Sequence, residues 1–343
     1  MIMNLSEYLL GQGYAVTIIT TGKEQEEYEL LPGMQRVFSD LTEQEISKNR
    51  ILNFTHRVKK LRKIIEAQNP QIVISFIGKN NMMAILATLF TQIPVLISVR
   101  GDPLMEYDTR AMRFVSKHLF AKADGVILQT KDAKAYFPKK IQKKSVILPN
   151  PLNMNFLKQL PEQNRQKRIV TVGRMDQNKN QKLLLDAFYK VQEEFPDWKL
   201  YMYGDGPERT KLMSSAMRYK IDQKVMLPGN ISDVANQLQK ARIFVLPSNT
   251  EGMPNSLMEA MALKMAVIST DCPCGGPKTL IKQGENGILI PVGDQEALEN
   301  ALRSVLSDET YEQHLAEKAV KIREELHPDK VNKQWMDYIE KFL

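Results

Sequence analysis

Two pairs of charged residues in the second half of the chain have types and spacing that could do chemistry. Glu251 and Glu259 lie eight positions apart, and the Gly-Met-Pro-Asn-Ser-Leu-Met stretch between them (252–258) leads into a helical pattern. A helix N-terminus with free N–H groups binds phosphate, and a carboxylate beside it can accept hydrogen bonds from vicinal sugar hydroxyls. Upstream, Arg174 and Lys179 lie in a predicted strand-to-helix loop. Two fixed cations in such a loop can flank a diphosphate.

Each pair also has a plainer explanation. Ser256 and Glu259 fit a capping box, in which the Glu259 side chain reaches back to the amide of the N-cap residue. That interpretation leaves Glu251 and the small residues of the loop unexplained. Arg/Lys pairs are common on protein surfaces, so Arg174 and Lys179 alone do not identify a site. Both interpretations stay open at this point.

Two further loops follow predicted strands. Gly204-x-Gly206 resembles the start of a dinucleotide-binding fingerprint, but Arg209 stands where the third glycine belongs and no suitable acidic residue ends the next strand. A nicotinamide cofactor is therefore disfavoured, and a tight turn that needs two glycines is the alternative. Cys272 and Cys274 lie in a Gly/Pro-rich stretch that is more typical of a turn than of a metal or redox site.

Alternating apolar runs and helical patterns indicate the elements that position these loops. Several of the runs are continuously apolar, as in strands that helices cover on both faces. The alternation predicts an α/β fold with one parallel sheet in each half. The predicted strands are 15–20, 71–76, 94–100, 124–130 and 144–150, then 168–173, 199–204, 224–229, 242–248, 266–270 and 287–292.

The chain length and its proline-rich break predict two domains. A chain of 343 residues is longer than one hydrophobic core usually serves. We predict an N-terminal domain over 1–150, a linker over 151–165, a C-terminal domain over 166–326 and a helix within 327–343 that either completes the second domain or crosses back to the first. The chain opens on a helical pattern, whereas a doubly wound domain opens on a strand and a ligand-facing loop. We therefore expect a first strand and loop to be absent.

Composition excludes several classes of protein. Two neighbouring cysteines form no disulfide framework, four scattered histidines show no metal-ligand spacing, and no apolar run is long enough to span a bilayer. We expect no metal, no cofactor and a cytoplasmic location. We expect no nucleic acid as a partner, since the chain has no recognised binding motif and no interleaved aromatic residues. The net charge of +7 concentrates in the first half.

One basic helical pattern lies within that half. An apolar stripe (Phe54, Val58, Leu61 and Ile65) is surrounded by Arg57, Lys59, Lys60, Arg62 and Lys63, and further basic residues are Arg110, Arg113, Lys117, Lys122 and those of 137–144. A solvated surface helix is one interpretation of the pattern. The other is a face that meets anionic lipid headgroups or a pyrophosphate-bearing acceptor.

Together these motifs resemble the retaining glycosyltransferases of family 4. The resemblance runs through VGRMDQNKNQKLLLDAF, YGDGPERTKL, LPG, IFVLPSNTEGMPNSLMEAMALKMAVISTDCPCGGP and NGILIPVGD, and more loosely through VISF, ISVRGDP, ADGVILQT and VILPNP. It implies the GT-B fold, in which two Rossmann-like, doubly wound domains face each other across a cleft. Among family members, the chain is most similar to bacterial enzymes that add hexoses or N-acetylhexosamines to polysaccharide or lipid-linked oligosaccharide precursors.

The resemblance also implies roles for individual residues. Arg174 and Lys179 would neutralise the donor diphosphate without a metal, Glu251 would face the transferred sugar, and Glu259 would hold ribose hydroxyls. The remaining donor-binding positions would be Gly173, Gly204, Gly206, Gly229, Gly252, Met253, Pro254, Asn255, Ser256 and Leu257. The expected partners are a nucleotide-sugar donor, with uracil as its base, a glycan or polyprenyl-diphosphate-linked saccharide acceptor and an anionic membrane surface.

The chain departs from the family's pattern at two places. Many members carry a histidine where this chain has Arg100, so Arg100 and Asp102 are candidates only for a contact from the N-terminal domain. The family's Gly-rich loop near the N-terminus has no match here. An alternative function is therefore a protein that binds nucleotide sugar with impaired or no transfer.

Overall fold

A computed structural model describes residues 1–22, 29–158 and 165–343, which form two compact units. Unit 1 comprises Met1–Pro151 and Asp329–Leu343, and unit 2 comprises Leu152–Pro328. Residues 159–164 of the predicted linker lie outside the described residues. The parallel α/β class predicted from the sequence, with two Rossmann-like domains, is confirmed.

Unit 1 contains two parallel sheets, a two-stranded one (β1-β2) and a four-stranded one in the order β3-β4-β5-β6. Their strands are β1 (Val16–Thr20), β2 (Met34–Phe38), β3 (Val73–Phe76), β4 (Val95–Ser98), β5 (Gly125–Leu128) and β6 (Ser145–Ile147). The helices are α1 (Ile2–Gly11), α2 (Arg50–Gln68), α3 (Gly78–Thr88), α4 (Pro103–Glu106), α5 (Arg110–Leu119), α6 (Lys131–Tyr136) and α7 (Lys139–Lys143), with 3-10 turns at Glu43–Glu45 and Phe120–Lys122.

The prediction of a single sheet in the first half is wrong. Strand β2 was not predicted, and it pairs with β1 from Val16–Met34 to Thr20–Phe38. Within the described residues no backbone ladder joins this pair to the four-stranded sheet. Strand pairing is a contact between distant segments, so a pattern that predicts strands does not say which of them are neighbours.

Unit 2 is one six-stranded parallel sheet in the order β12-β11-β10-β7-β8-β9. Its strands are β7 (Gln166–Val172), β8 (Lys199–Tyr203), β9 (Val225–Gly229), β10 (Ala241–Leu246), β11 (Ala266–Thr270) and β12 (Ile288–Ile290). The helices are α8 (Met154–Lys158), α9 (Gln181–Val191), α10 (Arg209–Arg218), α11 (Val234–Leu238), α12 (Asn255–Ala262), α13 (Gly276–Leu280), α14 (Gln295–Ser307), α15 (Glu309–Ala319) and α16 (Ile322–Glu325).

The strand order of unit 2 reverses direction between β7 and β10. From β7 the chain adds β8 and β9 on one side, and then it returns to place β10, β11 and β12 on the other. The loops after β7 and after β10 therefore diverge, and they leave a crevice at the carboxyl ends of the strands. Ligands of open α/β sheets bind in such a crevice. The strands beneath it are rigid because every residue of β11, and all but one of β10, is buried.

The helix at the end of the described chain packs against unit 1. Helix α17 (Pro328–Ile339) continues into a 3-10 turn, Glu340–Phe342. Its Trp335 ring is fully buried and stacks on Phe76 with 5.8 Å between ring centroids. The Tyr338 hydroxyl accepts a hydrogen bond from the Val126 amide at 3.2 Å and donates one to the Lys144 carbonyl at 2.6 Å. These contacts join α17 to the strands of the four-stranded sheet.

Candidate active site

A cavity of about 550 Å³ opens at the carboxyl ends of β7, β8 and β9 in unit 2. Four of the residues predicted to contact a donor line it together, and the segment after β9 closes one side. The lining comprises Val172, Gly173, Arg174, Tyr203, Gly204, Asp205, Gly206, Asn230, Ile231 and Val234. Three of these ten residues are glycines, so a ligand can approach their peptide groups directly.

Close approach of the two loops explains the glycine at position 204. A Cβ atom there would lie 2.1 Å from the Gly173 carbonyl oxygen, and Gly204 has a φ of +122°. The backbone ladder continues past the strand ends, since the Gly173 amide donates to Tyr203 and the Gly204 amide donates to Gly229. Gly173 and Gly204 thus line the cavity, and Gly229 holds Gly204 in place by accepting its amide hydrogen bond.

Lys179 and Glu251 are brought together by the loops on either side of the crevice. The Lys179 Nζ atom lies 2.5 Å from Glu251 Oε1, and only 11% of the Glu251 side chain is exposed. The methylene stem of Lys179 passes over Gly173, because a Cβ atom on that glycine would lie 3.5 Å from Lys179 Cδ and Cε. The ion pair therefore adjoins the cavity, and it is formed by residues 72 positions apart in the chain.

A set of asparagine contacts holds these two loops in register. The Asn178 side chain donates to the Thr250 carbonyl at 3.1 Å and accepts from the Thr250 amide at 3.1 Å. Asn249 donates its backbone amide to the Asn178 carbonyl and its side chain to the Gln177 carbonyl. We name this set the asparagine clamp. Sequence reasoning missed it, although Asn178 directly precedes Lys179, and Asn249 and Thr250 directly precede Glu251.

Arg174 occupies the cavity rim rather than the ion pair. Its side chain is 73% exposed, and its Nε atom lies 3.8 Å from Asp176 Oδ2. The loop that carries it is well ordered by hydrogen bonds, since Gln181 donates to the Arg174 carbonyl and the Met175 amide donates to Asp205. The two predicted cations thus share a loop, with Lys179 paired and the Arg174 guanidinium directed to solvent.

The capping-box interpretation of Ser256 and Glu259 is wrong. Helix α12 begins at Asn255, Pro254 is its N-cap, and among the described residues no side chain caps it. The rigid, extended Pro254 starts the helix before Ser256, which therefore lies inside the first turn. Of the loop residues, Met253, Pro254 and Leu257 are buried, whereas Asn255 is exposed. The side chains of Met253, Pro254 and Leu257 fill the core, so these three residues offer a ligand only their backbone.

Glu259 is a carboxylate without a protein partner. It lies one turn into α12, and within the described residues no hydrogen bond or ion pair reaches its side chain. Burial raises the pKa of Glu259 to about 7. A half-buried carboxyl group with free acceptor positions is an unfavourable feature for the fold alone, and perturbed groups of this kind cluster at functional sites.

The segment after β11 supports the loop that carries Glu251. A Cβ atom on Gly276 would lie 1.5 Å from the Gly252 carbonyl oxygen, so the two backbones are in direct contact. Cys272 lies beneath the same loop, where burial and the nearby Glu251 charge raise the pKa of its thiol to about 12. The thiol is therefore a protonated packing group. The Cys-x-Cys stretch forms a support for the crevice.

Arg100 and Asp102 have structural roles inside unit 1. Arg100 donates to Asn150 Oδ1 and, at 3.3 Å, to Ser98 Oγ, and its guanidinium lies 5.7 Å from the centre of the Trp335 ring. Burial lowers the pKa of Arg100 to about 10. The Asp102 carboxylate caps α4 by accepting from the Leu104 amide at 2.9 Å. A contact of either residue with a donor stays a prediction.

The described residues provide the parts that an anionic, sugar-bearing ligand requires. Lys179 and Arg174 supply positive charge, α12 supplies an uncapped N-terminus, and Glu251 and Glu259 supply hydroxyl acceptors. In the described ranges no three His, Cys, Asp or Glu side chains cluster as metal ligands would. None of the helices there combines the length and apolar character of a membrane span.

Family models match nearly the whole chain in two consecutive parts. Residues 1–156 match the model described as Glycosyltransferase Family 4, and residues 154–322 match the model described as Glycosyl transferases group 1. These two matches meet where unit 1 passes into unit 2.

Two curated relatives are similar over most of the chain. An uncharacterized glycosyltransferase of Methanocaldococcus jannaschii is 29% identical over 67% of this chain, which spans 64% of that relative, just under two thirds of its length. A Campylobacter jejuni enzyme, an α-1,4-N-acetyl-D-galactosaminyltransferase whose name gives a diphospho-undecaprenol-linked saccharide as its acceptor, is 25% identical over 81% of this chain and 77% of its own length.

A solved structure shows the same fold. The Anabaena protein HepE, determined in complex with UDP and glucose, superimposes with a TM-score of 0.83 over 99% of this chain and 94% of its own. The two sequences are 15% identical, so the likeness establishes the fold alone. The GT-B class implied by the resemblance is confirmed.

Proposed function

The chain belongs to the glycosyltransferases of family 4, and we propose that it moves a hexose or N-acetylhexosamine from a UDP-linked donor to a saccharide acceptor with retention of anomeric configuration. The observation that carries this proposal is the Lys179–Glu251 ion pair beside the cavity that Gly173, Gly204 and Gly206 help to line. Relatives that act on diphospho-undecaprenol-linked saccharides support an acceptor of that class. The UDP complex of HepE supports the choice of base.

The proposed chemistry is stabilisation of a departing nucleoside diphosphate. As the bond from the sugar to phosphate breaks, negative charge grows on the diphosphate oxygens. Lys179 and Arg174 would meet that charge, and the amides of the first turn of α12 would donate to it. These groups supply the positive charge that a metal supplies elsewhere, and we propose that transfer needs no metal.

Glu251 and Glu259 would contact the two sugars. When the diphosphate takes over Lys179, Glu251 keeps its position at the asparagine clamp and can accept hydrogen bonds from the transferred sugar. Glu259, which has no partner in the described part of the chain, would accept hydrogen bonds from the two ribose hydroxyls. The first contact would replace the hydrogen bond that Glu251 accepts from Lys179, and the second would give Glu259 partners that it lacks among the described residues.

Incubation with a panel of UDP-, GDP- and ADP-sugars tests the proposal. We expect a UDP-hexose or UDP-N-acetylhexosamine to raise the melting temperature most, since a ligand at about 100 times its Kd stabilises the folded state by about 2.7 kcal/mol. Transfer to a polyprenyl-diphosphate-linked saccharide should then release UDP, at the same rate with or without EDTA. A chain that neither binds nor turns over any nucleotide sugar contradicts the proposal, and a rate abolished by EDTA contradicts the metal-free part of it.

A second candidate function is binding of the donor without transfer. The observation that favours it is the division of unit 1 into two separate sheets, since this is the unit expected to provide acceptor contacts. The same panel separates the two functions. A large rise in melting temperature with neither transfer nor donor hydrolysis would favour the binding protein.

Glu259 leads to a pH prediction for donor affinity. Because a carboxylate accepts two ribose hydroxyls better than a carboxylic acid does, donor binding should require the ionised form. With a pKa of about 7, the fraction of Glu259 that is ionised decreases roughly tenfold from about pH 8 to about pH 6. We expect the Kd for an intact UDP-sugar, measured by calorimetry, to rise roughly tenfold over that range.

The matched control is Glu259→Gln, which removes the titrating group. The Kd of this variant should be higher than that of the parent at about pH 8, and it should be nearly independent of pH. Folding raises the Glu259 pKa above its ordinary 4.5, so the free energy of unfolding falls as pH rises from 4.5 to about 7. At a pH above about 7, the glutamine variant should therefore melt at a higher temperature than the parent. Equal pH profiles for the two proteins would exclude this role for Glu259.

A further inference from the structure

The net positive charge of the protein comes entirely from unit 1. Unit 2 has 23 lysines and arginines and 23 acidic residues, whereas unit 1 has 24 and 17. The segment 110–144 alone carries ten basic residues and two acidic ones, Asp124 and Asp132. The Asp124 carboxylate is engaged with the Val95 amide at 2.8 Å. One part of unit 1 therefore concentrates a charge that the rest of the molecule does not balance.

The basic helix singled out in the sequence, α2, uses most of its cations internally. Arg57 pairs with Asp40 at 3.0 Å, and Lys60 pairs with Glu45 at 2.9 Å. Arg62 donates to the carbonyl groups of residues 86, 87 and 89 at the end of α3. Only Lys59 and Lys63 of its five predicted cations are exposed. Helix α2 is therefore a weak candidate for a lipid-facing surface.

Helix α5 has the opposite arrangement, because its outward face is apolar. Its exposed residues at helical spacing are Ala111, Phe114, Val115 and His118, and the Phe114 side chain is 64% exposed. The His118 ring packs on Phe114 with 4.0 Å between centroids, which extends the apolar stripe. In the preceding α4, Leu104 and Met105 are also exposed. Exposed apolar side chains in one neighbourhood indicate an interaction site.

Unpaired cations border this stripe. Lys117 lies 4.7 Å from the centre of the Tyr136 ring, at the end of α6, and the ring centroids of Phe120 and Phe137 lie 5.8 Å apart. The turn after α5 also contacts α7, so the lysines of α7 lie in the same part of unit 1. None of the bordering cations has a carboxylate partner among the described residues. They are Arg110, Lys117, Lys122, Lys139, Lys140 and Lys143.

We infer that α5 and α7 dock unit 1 on an anionic lipid bilayer, with Phe114 and Val115 entering the headgroup region and the bordering lysines contacting lipid phosphates. Amphipathic surfaces that combine exposed apolar side chains with Lys and Arg bind in this way. A second copy of the chain fits less well, because two such faces would repel each other and unit 2 carries no net negative charge. The inference rests on the proposed function only for the idea that the acceptor is held in that bilayer.

Sedimentation of the full chain with lipid vesicles tests this inference. Vesicles of phosphatidylcholine with phosphatidylglycerol should bind the protein at least tenfold more strongly than phosphatidylcholine alone, and raised salt should weaken that binding. Phe114→Ser with Val115→Ser should weaken it about tenfold, because two apolar side chains no longer enter the interface. Alanine at Lys139, Lys140 and Lys143 should weaken it roughly a hundredfold, at about fivefold per cation.

Lys59→Ala with Lys63→Ala is the matched control, since it removes exposed cations from α2 of the same unit. It should change vesicle binding by less than about threefold. Equal effects of the α2 and α7 variants, or equal binding to both vesicle types, would overturn the inference. The inference would also be overturned if the parent chain forms a dimer and Phe114→Ser with Val115→Ser abolishes that dimer but leaves vesicle binding unchanged.

The rise in melting temperature with UDP keeps the two proposals apart. Every variant should retain the parental rise, because the altered residues lie outside unit 2. A circular dichroism spectrum equal to the parent's would show that unit 1 of each variant is folded. A variant that loses vesicle binding but keeps the UDP effect supports the docking surface and leaves the proposed function unaffected. Conversely, vesicle binding as predicted by a chain that shows no UDP effect would leave this inference standing while the proposed function fails.

Discussion

Lys179→Ala should lower the transfer rate by about a hundredfold to a thousandfold. The lysine is the partly buried cation of the site, and removal of one preorganised charge-stabilising group typically has an effect of that size. The measurement is UDP release at saturating donor. We expect the loss mainly in kcat, because the interaction strengthens as the leaving group gains charge.

The same substitution leaves the Glu251 carboxylate without its partner, so stability must be separated from chemistry. An unpaired buried acceptor costs about 1–3 kcal/mol, and the single variant should melt at a lower temperature. Adding Glu251→Gln should recover most of that temperature while transfer stays low. Lys182→Ala is the surface control, since it removes an exposed i,i+4 pair with Asp186 from the same region. Near-parental transfer by Lys179→Ala would refute the role assigned to this residue.

Gly276→Ala should disrupt the donor loop from below. The new Cβ atom would overlap the Gly252 carbonyl oxygen at 1.5 Å and lie 3.1 Å from Pro254 Cδ, and both contacts are with rigid groups. Relief of this overlap requires the loop to move away from the segment after β11. We expect the free energy of unfolding to fall by about 3 kcal/mol and the melting temperature by roughly 6–12 °C. Donor affinity should fall more than tenfold, as measured by calorimetry below the new melting temperature.

Gly11→Ala is the control for that substitution. A Cβ atom there meets nothing within 4 Å, so stability and donor affinity should change little. Both variants add one methyl group, which meets backbone atoms at position 276 and open space at position 11. If Gly276→Ala binds donor with parental affinity at a parental melting temperature, the support that the segment after β11 gives to the loop is unimportant.

Patterns along the chain predicted the strands of unit 2 and the loops that carry the candidate site. Parallel strands align their carboxyl ends, so Arg174, Gly204 and Glu251 were expected at one edge before any pairing was known. The structure places Gly173, Arg174, Gly204 and Gly206 around one cavity and pairs Lys179 with Glu251. Assignment of catalytic roles to these residues stays a prediction that the variants above will test.

What the sequence could not predict depends on contacts between distant segments. The asparagine clamp joins residues 72 positions apart, and no local pattern distinguishes Asn178 from an ordinary loop asparagine. That no described residue pairs with Glu259 likewise follows from the packing around α12. The capping box failed for a local reason, because Pro254 begins the helix two residues too early for Ser256 to cap it.

The position of α17 has a consequence for synthesis on the ribosome. Trp335 and Tyr338 complete the interior of unit 1, yet they follow every residue of unit 2 in the chain. As the polypeptide emerges, unit 2 can reach its final packing while the earlier unit still waits for this helix. A chain truncated after residue 328 and released from the ribosome should therefore resist protease across unit 2 and remain sensitive across unit 1.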